Sequence, residues 1–448
     1  MKRKLIKQAY IINEGKIIVA DLLIVGERIE AIANQLTTLN AEIIDGSGLY
    51  LLPGVIDDQV HFREPGLTHK GTIYSESKAA IAGGITSFME MPNTIPNTLT
   101  QALLEEKYNI ASNTSLANYS FFMGINQNNL EEVLKTDNEN VCGITDDGLY
   151  FNNDEGILAN YPNFLEKLFS RTNTLTALHS EDDAIIKHNT IKYRKIYGEN
   201  IPFALHPSIR SEEACVSATK RVLEIAKKHN NRLHFFHIST AAEANLFENV
   251  LPLREKRITA EACVHHLWFS DMDYESLGAA IKWNPSIKSE EDKNGLLKAL
   301  LDNRLDIIAT DHAPHAIEEK NGNYFKAMSG GPLVQHALPA MLELFHQGRI
   351  SLAQIVEKMS HNVAEVYKIK SRGYIREGYF ADLVLVDLNN HWQVTPQNIL
   401  SKCQWSPFEN QWFKSKILKT FVNGHLVYNQ GLYNENNNGK RLKFSKTR

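Results

Sequence analysis

Apolar and polar positions follow two different rhythms along the chain. Over the first ~50 residues the apolar runs are short, LIKQAYII, KIIVADLLIV and RIEAIAN, and the turn signals NEG and GE separate them. No helical period runs through them, so they predict strands. The same character returns in ADLVLVDL (381–388) and KTFVNGHLVYN (419–429), where Asn423-Gly424 predicts a tight hairpin turn. These ends predict one small β domain built from residues 1–53 and 371–448, with two unrelated terminal sheets as the alternative. The tail NENNNGKRLKFSKTR is polar and basic and predicts a solvated, weakly ordered end.

The middle, 54–370, alternates short apolar runs with helical patterns such as SESKAAIAG (75–83), LTQALLEEKYNIA (99–111) and EEACVSATKRVLEIAKKH (212–229). Strand–helix alternation implies a parallel sheet covered by helices. Eight strand candidates stand out: VIDDQVHF, SFMEMPN, NYSFFMG, VCGITDD, LTALHSE, LHFFHIS, ITAEACVHH and DIIATDH. Eight βα repeats predict an α/β fold of the closed (β/α)8 TIM-type barrel. Six of these runs end at or near His61, Asn93, Asp147, His179, His237 or Asp311, and a seventh reaches His265 and His266. The C-terminal strand ends of such a barrel form the rim of its active site. In a plain core each of these groups would cost ~1–3 kcal/mol if left unsatisfied.

Composition narrows the class. The chain has 448 residues, 43% hydrophobic and 22% charged, which is ordinary for a globular protein. Its 48 basic and 52 acidic residues give a formal charge of −4, so no positive excess points to nucleic acid or an anionic membrane. No run of ~18 apolar residues predicts a membrane span. Lys7 and Gln8 interrupt any signal-peptide-like stretch. Cys142, Cys215, Cys263 and Cys403 are scattered singly, against both a disulfide framework and a thiolate zinc site. The expectation is a cytoplasmic protein.

The polar strand ends offer three histidines and two aspartates, His61, His179, His237, Asp147 and Asp311, with nitrogen and oxygen donors and no thiolate. That set suits a hydrolytic Zn²⁺ site with a position open for water. Asp311, within ATDHAPH, can take a proton from the water and later give it to a leaving nitrogen. Strand alternation places Asp57, Gln59 and His61 on one face. Arg63 follows in the loop, where a guanidinium can hold a carboxylate through two parallel bonds. GGIT (83–86) and SGGP (329–332) fit neither a phosphate loop nor a dinucleotide motif. SGGP, within NGNYFKAMSGG, reads as a lid or an exposed connector, and Lys320 as part of a solvated face.

The segments IDDQVHFREPG with MPNT (91–94), and ATDHAPHAIEEK (309–320), resemble the two signatures of the dihydroorotases of the amidohydrolase superfamily, in their class I bacterial type. TDDG, ALHSED, FFHIST, TAEACVHHL and KWNPSIK fall in that family's order, and the resemblance covers almost the whole chain. It implies the barrel with a β domain from both termini. It implies reversible cyclisation of N-carbamoyl-L-aspartate to L-dihydroorotate, a step of de novo pyrimidine (UMP) synthesis, with Zn²⁺ as cofactor at one or two ions per chain. His61 matches a ligand of the first metal, His179 and His237 ligands of the second, and Asp147 the carboxylate between them. Parity leaves Asp146 or Asp147 open, and the resemblance favours Asp147. Asp311 matches a first-metal ligand and the catalytic acid/base. Arg63, Asn93 and His315 match the group that holds the substrate carboxylate. Asn284, Ser329 and Gly330 match contacts to the pyrimidine ring.

Two positions depart from the family. Gln59 replaces the first histidine of the usual His-x-His, so it is expected to ligate weakly or through water, with the second site (Asp147, His179, His237) the tighter one. The run Leu333-Val334-Gln335-His336 lacks the family's glutamate. Two other readings remain. One is a hydantoinase- or allantoinase-like enzyme, disfavoured by Arg63 and Asn93. The other is an inactive homologue serving as a scaffold, favoured by Gln59. The partners expected are the small-molecule substrate, with no nucleic acid and no membrane. A homodimer and docking to an aspartate transcarbamylase are compatible with the resemblance.

Overall fold

A computed structural model describes residues 2–149, 157–436 and 438–446. The N-terminal apolar runs form β1 (Arg3–Asn13), β2 (Lys16–Val25) and β3 (Arg28–Ala33), an antiparallel meander, followed by β4 (Ala41–Asp45) and β5 (Tyr50–Pro53), both parallel to β1. The C-terminal half enters the same sheet. β15 (Leu383–Asp387) runs antiparallel to β5, Lys416–Val422 pairs with β15, and His425–Asn429 follows through the Asn423-Gly424 turn. Both turn residues have positive φ, 50° and 75°, as a tight hairpin turn requires. Ile6, Ile11, Leu22, Ile24, Leu51, Leu383, Leu385 and Phe421 pack as one cluster, so neither end of the chain has its own core.

All eight middle runs are strands: β6 (Val55–Val60), β7 (Ile85–Glu90), β8 (Asn118–Phe121) with its continuation β9 (Met123–Gly124), β10 (Ile144–Thr145), β11 (Thr176–Leu178), β12 (Leu233–Phe235), β13 (Ile258–Cys263) and β14 (Ile307–Ala309). Every neighbouring pair is parallel, and the run NYSFFMG changes partner at Phe122, from β7 to β10. The ring closes where His61 N–H donates to His312 O at 2.7 Å. Met89, Met91, Phe122, Ala177, Phe236 and Ile307 form the interior cluster, with Tyr367 packed against them. Helices carry the expected caps: Thr72 opens Ile73–Ala82, Thr100 opens Gln101–Thr114, and Ser211 opens Glu212–His229, which stops at left-handed Asn230. No described helix is long and apolar enough to cross a membrane. All four cysteines are buried and free.

One expectation fails here. The tail is not a solvated end over its described part: Leu442 and Phe444 are buried with the interior cluster, and the Arg441 guanidinium lies 3.4 Å from the centroid of the Tyr108 ring. Its polar composition hides two apolar anchors, one and three residues after a cation that stacks. A departure from the family stands beside it: the run at Gln335 and His336 has no glutamate, and its side chains have partners of their own. Gln335 donates to Asn398 O (2.7 Å) and accepts from Leu400 N (2.8 Å), while His336 pairs with Ser406 Oγ (3.1 Å). They tie the barrel to the segment that returns toward the β domain.

Candidate metal and substrate site

Four strand ends supply the core of the site. Asp147 follows β10, and its backbone N–H is held by Thr145 Oγ1 at 3.0 Å. One carboxylate oxygen lies 3.5 Å from His179 Nδ1 and 3.6 Å from His237 Nε2; the other lies 3.5 Å from His61 Nε2. His179 Nδ1 and His237 Nε2 are 3.0 Å apart. Donor atoms of Asp147, His179 and His237 all fall within 4.8 Å of one another, in buried surroundings. Asp146 turns away. It accepts from Leu158 N (2.8 Å) and His179 N (3.2 Å), which positions the loop and the histidine.

The tautomers follow from the outer partners. Glu181 Oε2 sits 2.8 Å from His179 Nε2, so that nitrogen carries the proton and Nδ1 presents its lone pair to the cluster. Arg210 pairs with Glu181 from the other side. Asn93 Oδ1, 2.8 Å from His61 Nδ1, fixes the second imidazole in the same way. His61 Nε2 then faces Asp311 Oδ1 at 3.1 Å. His237 Nδ1 is buried with no hydrogen-bond partner. One carboxylate oxygen and two imidazole nitrogens converging here fit a divalent metal ion such as zinc.

Burial opposes ionisation of Asp147, but the imidazoles of His179, His237 and His61 outweigh it and hold the carboxyl well below its usual range. Burial also opposes charge on His179, yet Asp147 and Glu181 push it up to about 9. A metal at Nδ1 competes with that proton. Below pH ~9 each ion bound displaces one proton, so affinity should weaken about tenfold per pH unit on going from pH 8 to pH 6.5. Chelator-competition titrations at those pH values measure this, and a pH-independent affinity would contradict it.

Backbone strain marks the same residues. Arg63 (φ 72°), His237 (φ 38°) and Asp311 (φ 49°) are non-glycine residues in the left-handed region. Such conformations cost ~1–3 kcal/mol each and persist where the surroundings impose them, typically at functional sites. The N–H of His237 donates to Glu261 Oε1 at 3.2 Å. Glu261 belongs to a second close group, Asp58, His234 and Glu261, buried under the site. Burial raises both carboxyls well above their usual ranges, helped by the charge of Glu261 at Asp58 and by those of Asp57 and Asp311 at Glu261.

Gln59 points to the same Asp147 oxygen as His61, while Asp57 leaves the face that strand parity gives it. The register shifts between Asp57 and Val60, a bulge that re-aims the strand. Asp57 is turned to Thr310, accepting from its N–H (3.1 Å) and Oγ1 (2.6 Å), while Asp58 faces His234. Gln59 Nε2 donates to Asp147 Oδ2 at 3.2 Å, and its oxygen takes the Cys263 thiol at 3.4 Å. The amide offers no oxygen to the cluster.

A cavity opens above these groups. His61, Arg63, Asn93, Asp147, Asn284, Asp311, His315, Ser329 and Gly330 all line it, together with Leu67, Lys70, Trp283, Ala313 and Met328. Arg63 is 5% exposed. Its Nε donates to Pro314 O at 3.0 Å, and Nη2 lies 3.1 Å from His315 Nε2. Burial lowers its pKa to about 10, leaving it a cation at neutral pH. Asn284 Oδ1 has no protein partner. The Gly330 N–H is already used by Lys282 O (2.8 Å), and Ser329 O accepts from His315 Nε2 (3.0 Å).

Lys320 corrects the expectation of a solvated face. It is 4% exposed, and Nζ donates to Met328 O (2.8 Å) and Gly330 O (2.6 Å). Lys282 Nζ likewise holds Tyr324 O and Ala327 O, at 2.7 and 2.6 Å. The NGNYFKAMSGG segment is therefore a wall pinned from below by two buried ammonium groups rather than an exposed connector. Glu181, Lys70, Lys282 and Trp283 were missed by sequence reasoning. Only Glu181, two residues after a candidate histidine, carried a local signal.

An amidohydrolase family model matches residues 50–427. The dihydroorotase of Wolbachia sp. from Drosophila simulans is 32% identical over 416 residues, covering 91% of each chain. That of Lactococcus lactis is 33% identical over 417 residues, covering 92% of this chain and 95% of its own. Among solved structures, the L-hydantoinase (dihydropyrimidinase) of Arthrobacter aurescens superposes with a TM-score of 0.90 at 24% identity, covering 97% of each chain. The dihydropyrimidinase of Brevibacillus agri gives 0.86 at 23%, covering 99% of this chain and 100% of its own. These structures share the barrel and β domain. The chain belongs to the amidohydrolase family, in the branch that contains the dihydroorotases.

Proposed function

We propose that the protein is a zinc-dependent dihydroorotase that interconverts L-dihydroorotate and N-carbamoyl-L-aspartate, a step of pyrimidine synthesis. The observation that carries this is the buried Arg63–Asn93–His315 group in one cavity with Asp147 and Asp311, where Asp147 belongs to the Asp147–His179–His237 cluster. A cyclic ureide that bears a carboxylate satisfies both halves. Hydantoin and allantoin lack that carboxylate and would leave the cation unpaired. The names of the relatives at about 32% identity support the same reading.

Asp147, His179 and His237 would hold the ion, with Gln59 acting as a hydrogen-bond donor to Asp147 and not as a ligand. When bound, a divalent ion there supplies Lewis acidity that polarises a carbonyl and makes water a better nucleophile at neutral pH. One tight ion per chain is the expected content, and two that survive dialysis would contradict the role given to Gln59. Arg63, Asn93 and His315 anchor the substrate carboxylate and so fix where the ring lies. Asn284 reads a ring N–H with its unpartnered oxygen. Asp311 takes a proton from water as oxygen adds to the ring carbonyl. It returns that proton to the ring nitrogen as the C–N bond breaks, which leaves a carbamoyl NH₂ and a carboxylic acid whose own proton is then lost to solvent. Reversal closes the ring with loss of water.

The test compares hydrolysis of L-dihydroorotate, hydantoin and allantoin by zinc-replete protein. Selective turnover of L-dihydroorotate supports the proposal. Preference for either of the others refutes it, and no turnover of any of them makes the scaffold reading the better one.

A further inference from the structure

Beneath the candidate carboxylate pocket lies a lysine that neither the motifs nor the proposed mechanism uses. Lys70 is 6% exposed and lines the same cavity. Its Nζ has two polar contacts, Glu319 Oε1 at 2.9 Å and His315 Nδ1 at 3.2 Å. An ammonium group only donates. Glu319 Oε2 lies farther from Nδ1, at 3.6 Å, so the nearer Lys70 Nζ makes Nδ1 the accepting nitrogen and leaves the imidazole proton on Nε2. Burial and Arg63 keep this histidine neutral at physiological pH, so it has one N–H to give.

That N–H donates to Ser329 O at 3.0 Å and lies 3.1 Å from Arg63 Nη2. Arg63 also only donates. Arg63 Nη2 and His315 Nε2 are then both donors; the imidazole N–H rests on Ser329 O, and the need for an acceptor beside Arg63 Nη2 is one that a carboxylate oxygen meets. The opposite tautomer would remove the need. With the proton on Nδ1, Nε2 would accept from Arg63, and the pair would satisfy itself without a ligand.

We propose that Lys70 is a positioning residue for recognition of the substrate carboxylate: by donating to His315 Nδ1 it holds His315 in the tautomer whose Nε2–H, with Arg63, faces that carboxylate. This inference rests on the dihydroorotase reading and adds the group that keeps the imidazole proton on the nitrogen beside Arg63. Glu319, more exposed at the rim, balances the lysine charge, so the effect of Lys70 runs through the imidazole rather than through net charge.

The test is steady-state kinetics of zinc-loaded Lys70→Met and Lys70→Arg. Each is compared with wild type on L-dihydroorotate and on 5,6-dihydrouracil, the same ring without the carboxylate. For Lys70→Met, KM for L-dihydroorotate should rise ~10–100-fold with kcat within threefold, the size of a lost charge-assisted hydrogen bond. Any rate on 5,6-dihydrouracil should not fall. Lys70→Arg, which can still donate to Nδ1, should recover most of the KM. An unchanged KM in Lys70→Met, or equal losses on both substrates, overturns the inference. Failure of wild type itself to turn over L-dihydroorotate would instead sink the dihydroorotase reading, so the two failures are distinct.

Discussion

Replacing Asp311 by Asn should lower turnover of L-dihydroorotate by about 10²–10⁴-fold, the usual contribution of a positioned acid–base group, while leaving the fold intact. Asp311 and Asp147 are the two carboxylates that line the cavity, and Asp147 is already engaged by three imidazoles and an amide. His61 Nε2 lies 3.1 Å from Asp311 Oδ1. Asn preserves the shape of the group and can still bond to His61, but it cannot take up and return a proton. Substrate binding should therefore stay within a few-fold, and thermal unfolding within a few degrees of wild type. Single-turnover kinetics with an isotherm for substrate binding separate the two quantities. A variant that retains more than a tenth of the wild-type rate would remove Asp311 from the mechanism.

Asp147→Asn carries the second large effect, and it acts on the metal rather than on the proton. Both carboxylate oxygens of Asp147 face imidazole nitrogens, and the imidazoles hold the charge against the cost of burial. Without that charge the cluster is two neutral imidazoles, a poor site for a divalent ion. Metal content after dialysis should fall from about one ion per chain to below a tenth. The zinc-dependent rise in melting temperature should vanish with it, since an ion that binds only the folded state stabilises by mass action. Elemental analysis and a thermal scan with and without zinc read both changes. Stoichiometric zinc in Asp147→Asn would place the ion elsewhere.

The fold was legible because barrel strands combine two signals that coincide: an apolar run and a polar residue where the run stops. His61, Asp147, His179, His237 and Asp311 stand out for that reason, and all five come together in space. The bulge at 57–60 was not legible, because alternation assumes a regular strand; one extra residue turns Asp57 to Thr310, away from the face of Gln59 and His61. Lys320 and Lys282 were hidden for a different reason. A lysine is ordinarily solvated, and only tertiary packing shows that each ammonium caps two carbonyls of a loop. Lys70 and His315 are 245 positions apart, so no local pattern connects them.

The proposed carboxylate pocket of Arg63, Asn93 and His315 is the feature on which the dihydroorotase reading rests, against the hydantoinases and dihydropyrimidinases whose fold this chain shares. Its direct test is the ratio of kcat/KM for L-dihydroorotate to that for 5,6-dihydrouracil, measured on one zinc-loaded preparation of the wild-type protein. Sites built to bond a polar group reject the analogue that lacks it by about 10⁴–10⁵-fold. The account predicts a ratio of at least ~10³, and comparable efficiencies on the two rings would contradict it.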